Sequence, residues 1–270
     1  MNILDKIIAH KAAEVAENKS LVPVKLLEKS IFFDSEVVSM KKYITRADKT
    51  GIIAEFKRKS PSKGVINGSA SVEATTIGYM QAGASALSIL TDTAFFGGKN
   101  EDLSTARKYN FCPLLRKDFI IDEYQIVEAK SIGADCILLI AAALTPEKLA
   151  SLASFAKSLG LEVLMEVHDG EELDRSLNSH LDLVGVNNRS LKTFEVSLNT
   201  SYSLVDRIPQ EFVKISESGI SAPETLVELK QAGFDGFLIG ENFMKSSRPE
   251  QAALNFMNAY RRLIRTPQVS

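Results

Sequence analysis

Cysteine is scarce in this chain of 270 residues: there are two, Cys112 and Cys136. They lie in different apolar runs and in no C-x-x-C spacing, which argues against a disulfide framework or a zinc site and fits a reducing cytoplasm. Histidine is nearly as rare. His10, His168 and His180 are far apart and none falls in a ligand pattern, so no metal is expected. An excess of one charge is also missing, since the net charge is −2 with the signs interspersed. Without a basic stripe there is no footprint for nucleic acid, and any anion site must be local. Long hydrophobic runs are absent too. None approaches the ~20 apolar residues of a membrane span, and in "MNILDKIIAHKAAEV" Asp5 and Lys6 interrupt what a signal peptide would need as its apolar core. These absences point to a cytoplasmic protein with neither nucleic acid nor membrane as partner.

What the chain does have is a repeating alternation. Eight short apolar runs, "GIIAEFK", "ALSIL", "PLLRK", "CILLI", "LEVLMEV", "LDLVGVN", "FVKISES" and "GFLIG", are separated by amphipathic stretches. Stretches such as "VEATTIGYMQAG", "PEKLASLASFAKSLG" and "APETLVELKQAG" close on Gly, as helix C-termini do, and several open on Thr-Pro or Ala-Pro. Strict alternation of strand and helix implies a parallel sheet. Eight such units in this length predict a (β/α)8 TIM barrel, for which roughly 250 residues is usual. The alternative, an open doubly wound sheet, lacks a G-x-G-x-x-G after the first strand and any break that splits the chain. The expectation is one domain over residues 1–270, with residues 1–48 as an N-terminal helical extension. Ile3, Leu4, Ile7 and Ile8 at helical spacing predict a helix there that caps the barrel.

In a closed barrel alternate strand residues point to the axis, and chemistry sits at the C-terminal ends of the strands. In the first strand Ile52, Ala54 and Phe56 share the outer face, which sends Glu55 and Lys57 inward. The third ends in Lys117 on the face of Leu115. The fifth turns Val163, Met165 and Val167 outward and leaves Leu164 and Glu166 inside. The sixth sends Gly185 and Asn187 inward. The seventh is read with Val213 and Ile215 outward and Ser216 and Ser218 inward, and Lys214, lower in the strand, paired with Glu162. Five strands then aim polar groups at one mouth, an arrangement costly unless the groups are paired or used. Ion pairs that merely plug the barrel are the competing explanation, and taken singly each pair fits it as well.

Glycines end the seventh and eighth strands in "SESGIS" and "LIGENFM". The loops after those two strands are the recurrent phosphate cradle of such barrels, where free backbone N–H groups meet a helix N-terminus. Gly219 and Gly240 are the candidates, with ordinary turn glycines as the alternative.

The blocks "AEFKRKSPSKG", "SILTDTAFFGG", "LRKDFIIDEYQI", "ADCILLIAAAL", "LMEVHD", "GVNNRSL", "SESGI" and "FLIGENFM" resemble, in order and spacing, the indole-3-glycerol phosphate synthase family of tryptophan biosynthesis. The resemblance implies a lyase that converts 1-(2-carboxyphenylamino)-1-deoxyribulose 5-phosphate to indole-3-glycerol phosphate, CO2 and water, without cofactor or metal. It implies a catalytic set of Glu55, Lys57, Lys117, Glu166, Asn187 and Ser218. Phosphate contacts would come from Ser60 and the backbone at Gly219 and Gly240, with Arg189 near the mouth and Leu238 lining it. The anthranilate ring would lie against Pro61, Phe96, Phe119 and Leu138. Lys117 is the expected acid for ring closure; Lys57 or Glu166 is the expected acid for dehydration, with Glu55 the base. Two positions depart from the family pattern: Ser190 stands where Asp is usual, and Glu241 follows the phosphate-site Gly, where a carboxylate would have to point away from an anion. Partners in the same pathway are left open. Two rival readings remain, an isomerase-like phosphosugar barrel resembling phosphoribosylanthranilate isomerase and a catalytically silent barrel kept as a binding subunit.

Overall fold

The computed structural model describes residues 2–191 and 193–265. The ends of the expected 1–270 domain, residues 1 and 266–270, together with residue 192, lie outside the described residues. All eight apolar runs form strands: Ile52–Phe56, Ala86–Leu90, Leu114–Lys117, Cys136–Ile140, Glu162–Val167, Leu183–Asn187, Val213–Glu217 and Gly236–Ile239. They are here called the first to eighth strands. Each pairs in parallel with its neighbours, and the eighth closes on the first, so the sheet is a barrel with no free edge.

Two apolar layers follow from the alternation. Ile53, Leu115, Leu138, Leu164, Leu183, Val213, Ile215 and Leu238 fill the barrel interior, while Ile52, Phe56, Leu87, Ile137, Met165, Val184 and Phe237 pack under the helices. The helices end where the sequence says they should. Gly83, with φ 103°, follows the helix Val72–Ala82, and Gly233, with φ 112°, lies just past Pro223–Gln231. Thr145 caps the helix Pro146–Ser158 by accepting from the Lys148 N–H, with Pro146 in the first turn where its missing donor costs nothing.

The described residues before the first strand form three helices, Ile3–Leu21, Val24–Leu27 and Met40–Thr45, in the segment expected to be a helical extension. They reach both ends of the barrel. Met40 and Ile44 join the interior layer at the strand starts, beside Gly236. Ser39 and the Lys41 backbone bind Glu162 there. The long helix instead lies over the opposite mouth. It begins in a capping box between Asn2 and Asp5 and buries Leu4, Ile7, Lys11 and Val15. No helix among the described residues is long and apolar enough to cross a membrane.

Candidate active site

A cleft at the C-terminal rim holds about 960 Å3 of empty space, the solvent at its open mouth included. Every side chain proposed from the sequence for catalysis lines it: Glu55, Lys57, Lys117, Glu166, Asn187 and Ser218. So do Ser60, Pro61, Phe96, Phe119, Leu138, Arg189 and Leu238. Gly219 and Gly240 line an adjoining cavity that shares Glu55, Lys57, Arg189 and Ser218 with the first.

The charges fall into two groups. On one side Lys57 Nζ lies 2.7 Å from Glu55 Oε1. On the other, Lys117 Nζ lies 2.6 Å from Glu166 Oε2 and 2.8 Å from Glu217 Oε2. Burial alone would favour a neutral Lys117 amine. The carboxylates of Glu166 and Glu217 outweigh it and raise the Lys117 pKa above the ordinary lysine value.

The two carboxylates that share Lys117 are not equivalent. Burial pushes both up. For Glu166 that is overcome by Lys117, by His168 and by a hydrogen bond with Asn187, which hold its carboxyl down at about 2. For Glu217 burial wins, reinforced by the neighbouring charges of Glu166 and Glu55, and its carboxyl rises to about 7 despite Lys117. Glu217 Oε1 is buried with no hydrogen-bond partner, and Glu166 Oε1 has His168 Nε2 at 3.4 Å, within ion-pair reach of an imidazolium although that nitrogen makes no hydrogen bond. The protons of such a set belong to the cluster, and Glu166, with Lys117, His168 and Asn187 around it, is the member that ionises more readily.

Glu217 corrects the seventh strand. Val213 and Ile215 point into the barrel and Ser216 points out, hydrogen-bonded to Ser201 and Asn188, the reverse of the expected phase. Lys214 is outside as well: its ammonium donates to the Val205 carbonyl and does not meet Glu162, which binds Ser39 and Lys41. Ser218 still reaches the cleft, by a different route. Its φ of 67° is left-handed, and Gly219 follows at 78°, so the backbone turns at the strand end. A signal for Glu217 was present in the sequence. "IAE", "LME" and "ISE" put an apolar residue and, two positions on, an acid at the ends of three strands, as Ile53–Glu55, Leu164–Glu166 and Ile215–Glu217.

Two glycines make room for these acids. A Cβ on Gly185 would come within 2.2 Å of Glu217 Oε1, and one on Gly240 within 2.3 Å of Glu55 Oε1. Gly240 therefore answers to a carboxylate from inside the barrel as well as to any anion outside it.

The apolar half of the cleft is built by loops. Asp92 accepts from the N–H groups of Phe95 and Phe96, at 2.7 and 3.1 Å, and Asp118 accepts from that of Phe119 at 2.8 Å. The rings of Phe96 and Phe119 then lie with centroids 5.9 Å apart. Lys11 of the long N-terminal helix sits between the two aspartates, 3.0 Å from each. It brings Ile3, Leu4 and Ile7 to the cleft wall, so the extension is part of the cleft lining, a role the sequence reading did not assign. The basic run after the first strand divides likewise. Lys57 faces the cleft, but Arg58 pairs with Asp102 and Lys59 donates to the Ala94 carbonyl. Those two bonds tie down a short ribbon in which Lys59–Ser60 pairs with Gly64–Val65.

The two departures have structural counterparts. Ser190 Oγ accepts from the Thr193 N–H, the turn-closing bond an Asp would make. Glu241 turns to Arg189, 3.2 Å away, and to Lys63 at 4.0 Å, so its charge is offset by two cations at the edge of the adjoining cavity.

A closed parallel barrel whose paired acids and amines open on a single cleft at the strand ends defines a (β/α)8-barrel enzyme. The chain belongs to the indole-3-glycerol phosphate synthase family, a family of carboxy-lyases: the family model described as "Indole-3-glycerol phosphate synthase" matches residues 4–256. It is 50% identical over 258 residues to the indole-3-glycerol phosphate synthase of Bacteroides thetaiotaomicron, covering 96% of this chain and 98% of that one. To the enzyme of the same name from Laribacter hongkongensis it is 44% identical, covering 93% and 97%. The solved 3-hexulose-6-phosphate synthase of Salmonella typhimurium superposes with a TM-score of 0.62 over 79% of this chain and 99% of that one, and at 12% identity this is a likeness of fold.

Proposed function

We propose that this chain performs its family's reaction with the residues gathered at the cleft, closing the indole ring of 1-(2-carboxyphenylamino)-1-deoxyribulose 5-phosphate with loss of CO2 and water. The observation that carries the residue assignment is Lys117: an ammonium held protonated by two carboxylates and still facing the cleft. As the aromatic carbon attacks the ribulose carbonyl, negative charge develops on oxygen. Lys117 donates its proton there, to an alkoxide far more basic than an amine. CO2 then leaves from the ring carbon, and the carboxylate's bonding pair stays with the ring.

Dehydration expels the former carbonyl oxygen as water and needs an acid, together with a base for the aniline proton. Glu166, kept ionised by Lys117 and His168, is poorly suited to be that acid. Of the two acids considered from the sequence this favours Lys57, with Glu55 at 2.7 Å as the base beside it. Asn187 orients a substrate hydroxyl and Ser218 borders the phosphate. The phosphate lies in the adjoining cavity against the backbone of Gly219 and Gly240, near Ser60, and the ring lies between Phe96, Phe119, Pro61 and Leu138. One domain, with the extension as its lid, and a reducing cytoplasm complete the reading; both thiols are free and buried.

Incubating the folded protein with the substrate and following indole fluorescence tests this. Signal is expected, and its absence from the folded wild type overturns the proposal.

A further inference from the structure

Outside the cleft lining, the fifth strand continues into an arrangement the reaction does not call for. His168 lies two residues after Glu166 and is largely buried, with only a tenth of its side chain exposed. It does not line the cleft. One ring nitrogen, Nε2, sits 3.4 Å from Glu166 Oε1, while the other, Nδ1, sits 3.1 Å from Glu172 Oε2. That same Glu172 oxygen accepts from the His168 backbone N–H at 2.8 Å, so ring and main chain are gripped together. Glu172 is fixed in turn, because it lies in the first turn of the helix Gly170–Ser176 and its N–H donates to the capping Asp169 carboxylate at 2.8 Å. The imidazole therefore cannot swing away from Glu166 without breaking a rigid clamp.

Glu166 spends one oxygen on Lys117 and turns the other toward His168. Glu217, the other carboxylate on the same ammonium, makes no second ion pair among the described residues. Without His168 Glu166 keeps its hydrogen bond with Asn187 but loses the neighbouring positive charge that helps set it apart from Glu217. We propose that His168 is a positioning residue of this site: clamped by Glu172, it holds the Glu166 carboxylate to Lys117 and thereby leaves Glu217 as the member of the cluster that carries a proton.

The groups facing His168 agree in sign. Glu166 on its own strand, Glu172 on the following helix and Glu217 on the seventh strand are all acidic, and Lys117 stands beyond Glu166. Burial works against the imidazolium, but the bond with Glu172 and the charges of Glu166, Glu172 and Glu217 raise the His168 pKa.

This inference rests on the reading of the cleft given under Proposed function. His168→Gln keeps a donor and removes the charge; Glu172→Gln leaves the histidine and loosens its clamp. For each, kcat and KM are measured between pH 5 and 9 with the carboxyphenylamino ribulose phosphate, along with inhibition by inorganic phosphate. Loss of an opposite charge at this range shifts a carboxylate by about one pH unit or more. The limb of the kcat profile that reports the proton shared by Glu166 and Glu217, about 7 in the wild type, is therefore expected to move up by about that much in His168→Gln, and in the same direction in Glu172→Gln. KM and phosphate inhibition should stay within about twofold, since His168 touches neither half of the cleft. Rescue is expected in His168→Lys, which restores a cation. An unmoved limb in a folded variant, or a rise in KM and phosphate inhibition constant without a moved limb, overturns the proposal. If His168→Gln does not fold, Glu172→Gln decides by the same criteria. An inactive wild type would instead sink the reading of the cleft, so the two failures are distinct.

Discussion

Two lysines are buried against carboxylates on neighbouring sides of this barrel, and they differ in what surrounds them. Lys11 has no exposed side-chain surface and meets Asp92, Asp118 and Glu14 at 3.0, 3.0 and 2.9 Å. Lys117, next in sequence to Asp118, meets Glu166 and Glu217 at 2.6 and 2.8 Å. In both, burial opposes the charge and the carboxylates more than restore it. The aspartates around Lys11 are committed to architecture, though: Asp92 holds the Phe95 and Phe96 N–H groups, and Asp118 holds Thr91, Arg116 and Phe119. Around Lys117 the ammonium faces a cleft, and Glu217 Oε1 has neither a hydrogen bond nor an ion pair among the described residues, whereas Asp92 Oδ2, which also lacks a hydrogen bond, keeps Lys11 at 3.0 Å. A buried ion cluster becomes reactive where it keeps spare hydrogen-bonding capacity next to a space that a ligand can enter.

The largest expected effect separates the two lysines. Lys117→Ala should lower kcat by ~10²–10⁴ while KM changes little, because a general acid is worth about that much. Full activity in this variant would break the comparison from the catalytic side. Lys11→Met should act the other way round. It leaves Asp92 buried without its cation, while Asp118 keeps Arg116, a loss of ~3–5 kcal/mol in urea unfolding. The molecules that remain folded should keep activity within about tenfold. A Lys11→Met protein as stable as the wild type would show that the cluster does not hold the N-terminal helix to the loops.

Next in size is a pH effect on stability, which tests the inequality of Glu166 and Glu217. Glu217 binds its proton more tightly folded than unfolded, with a carboxyl at about 7 against an ordinary 4.5. Over that window the native state holds more protons, so stability from this group is present at low pH and is lost as pH rises from 4.5 toward 7. Glu166, lowered to about 2, contributes in the opposite sense: its stability is present above 4.5 and is lost as pH falls toward 2. Glu217→Gln should remove the first slope and leave the second. Thermal melts of wild type and variant at pH 4.5 and pH 7.5 would show it as a difference that changes with pH. A constant difference would mean that Glu217 is ionised throughout.

Much of this was legible in the sequence, for a physical reason. Strands buried on both faces are apolar nearly throughout, so an inward Glu55, Lys117 or Glu166 stands out against Ile, Leu and Met. The seventh strand gave no such contrast. In Val213–Glu217 a lysine and a serine alternate with two β-branched residues, and choosing the outer face for the apolar ones, which suits a surface strand, inverts the phase. The barrel interior is itself apolar below the rim, so Val213 and Ile215 belong inside, with Glu217 above them. The wall formed by Ile3, Leu4 and Ile7 was hidden differently. Helical spacing reveals that a helix has an apolar face but not what that face will meet, and Lys11, which fixes its place, reads as an ordinary surface lysine.

The smallest expected effect concerns the adjoining cavity, where Arg189 and Lys63 stand at 3.2 and 4.0 Å from the Glu241 carboxylate. These pairs are partly exposed, with about a quarter of Arg189 and a third of Glu241 accessible, so each is worth only ~0.2–1 kcal/mol. An anion entering beside Gly219 and Gly240 would compete with Glu241 for the same two cations. In Glu241→Ser the competitor is gone and Arg189 and Lys63 are released toward the incoming charge. Inorganic phosphate should therefore inhibit the variant about two- to fivefold more strongly, the ratio that ~1 kcal/mol or less allows. The substrate KM should fall in step, with kcat unchanged. Weaker inhibition in Glu241→Ser would mean that the carboxylate holds Arg189 in its binding position and does not draw it away.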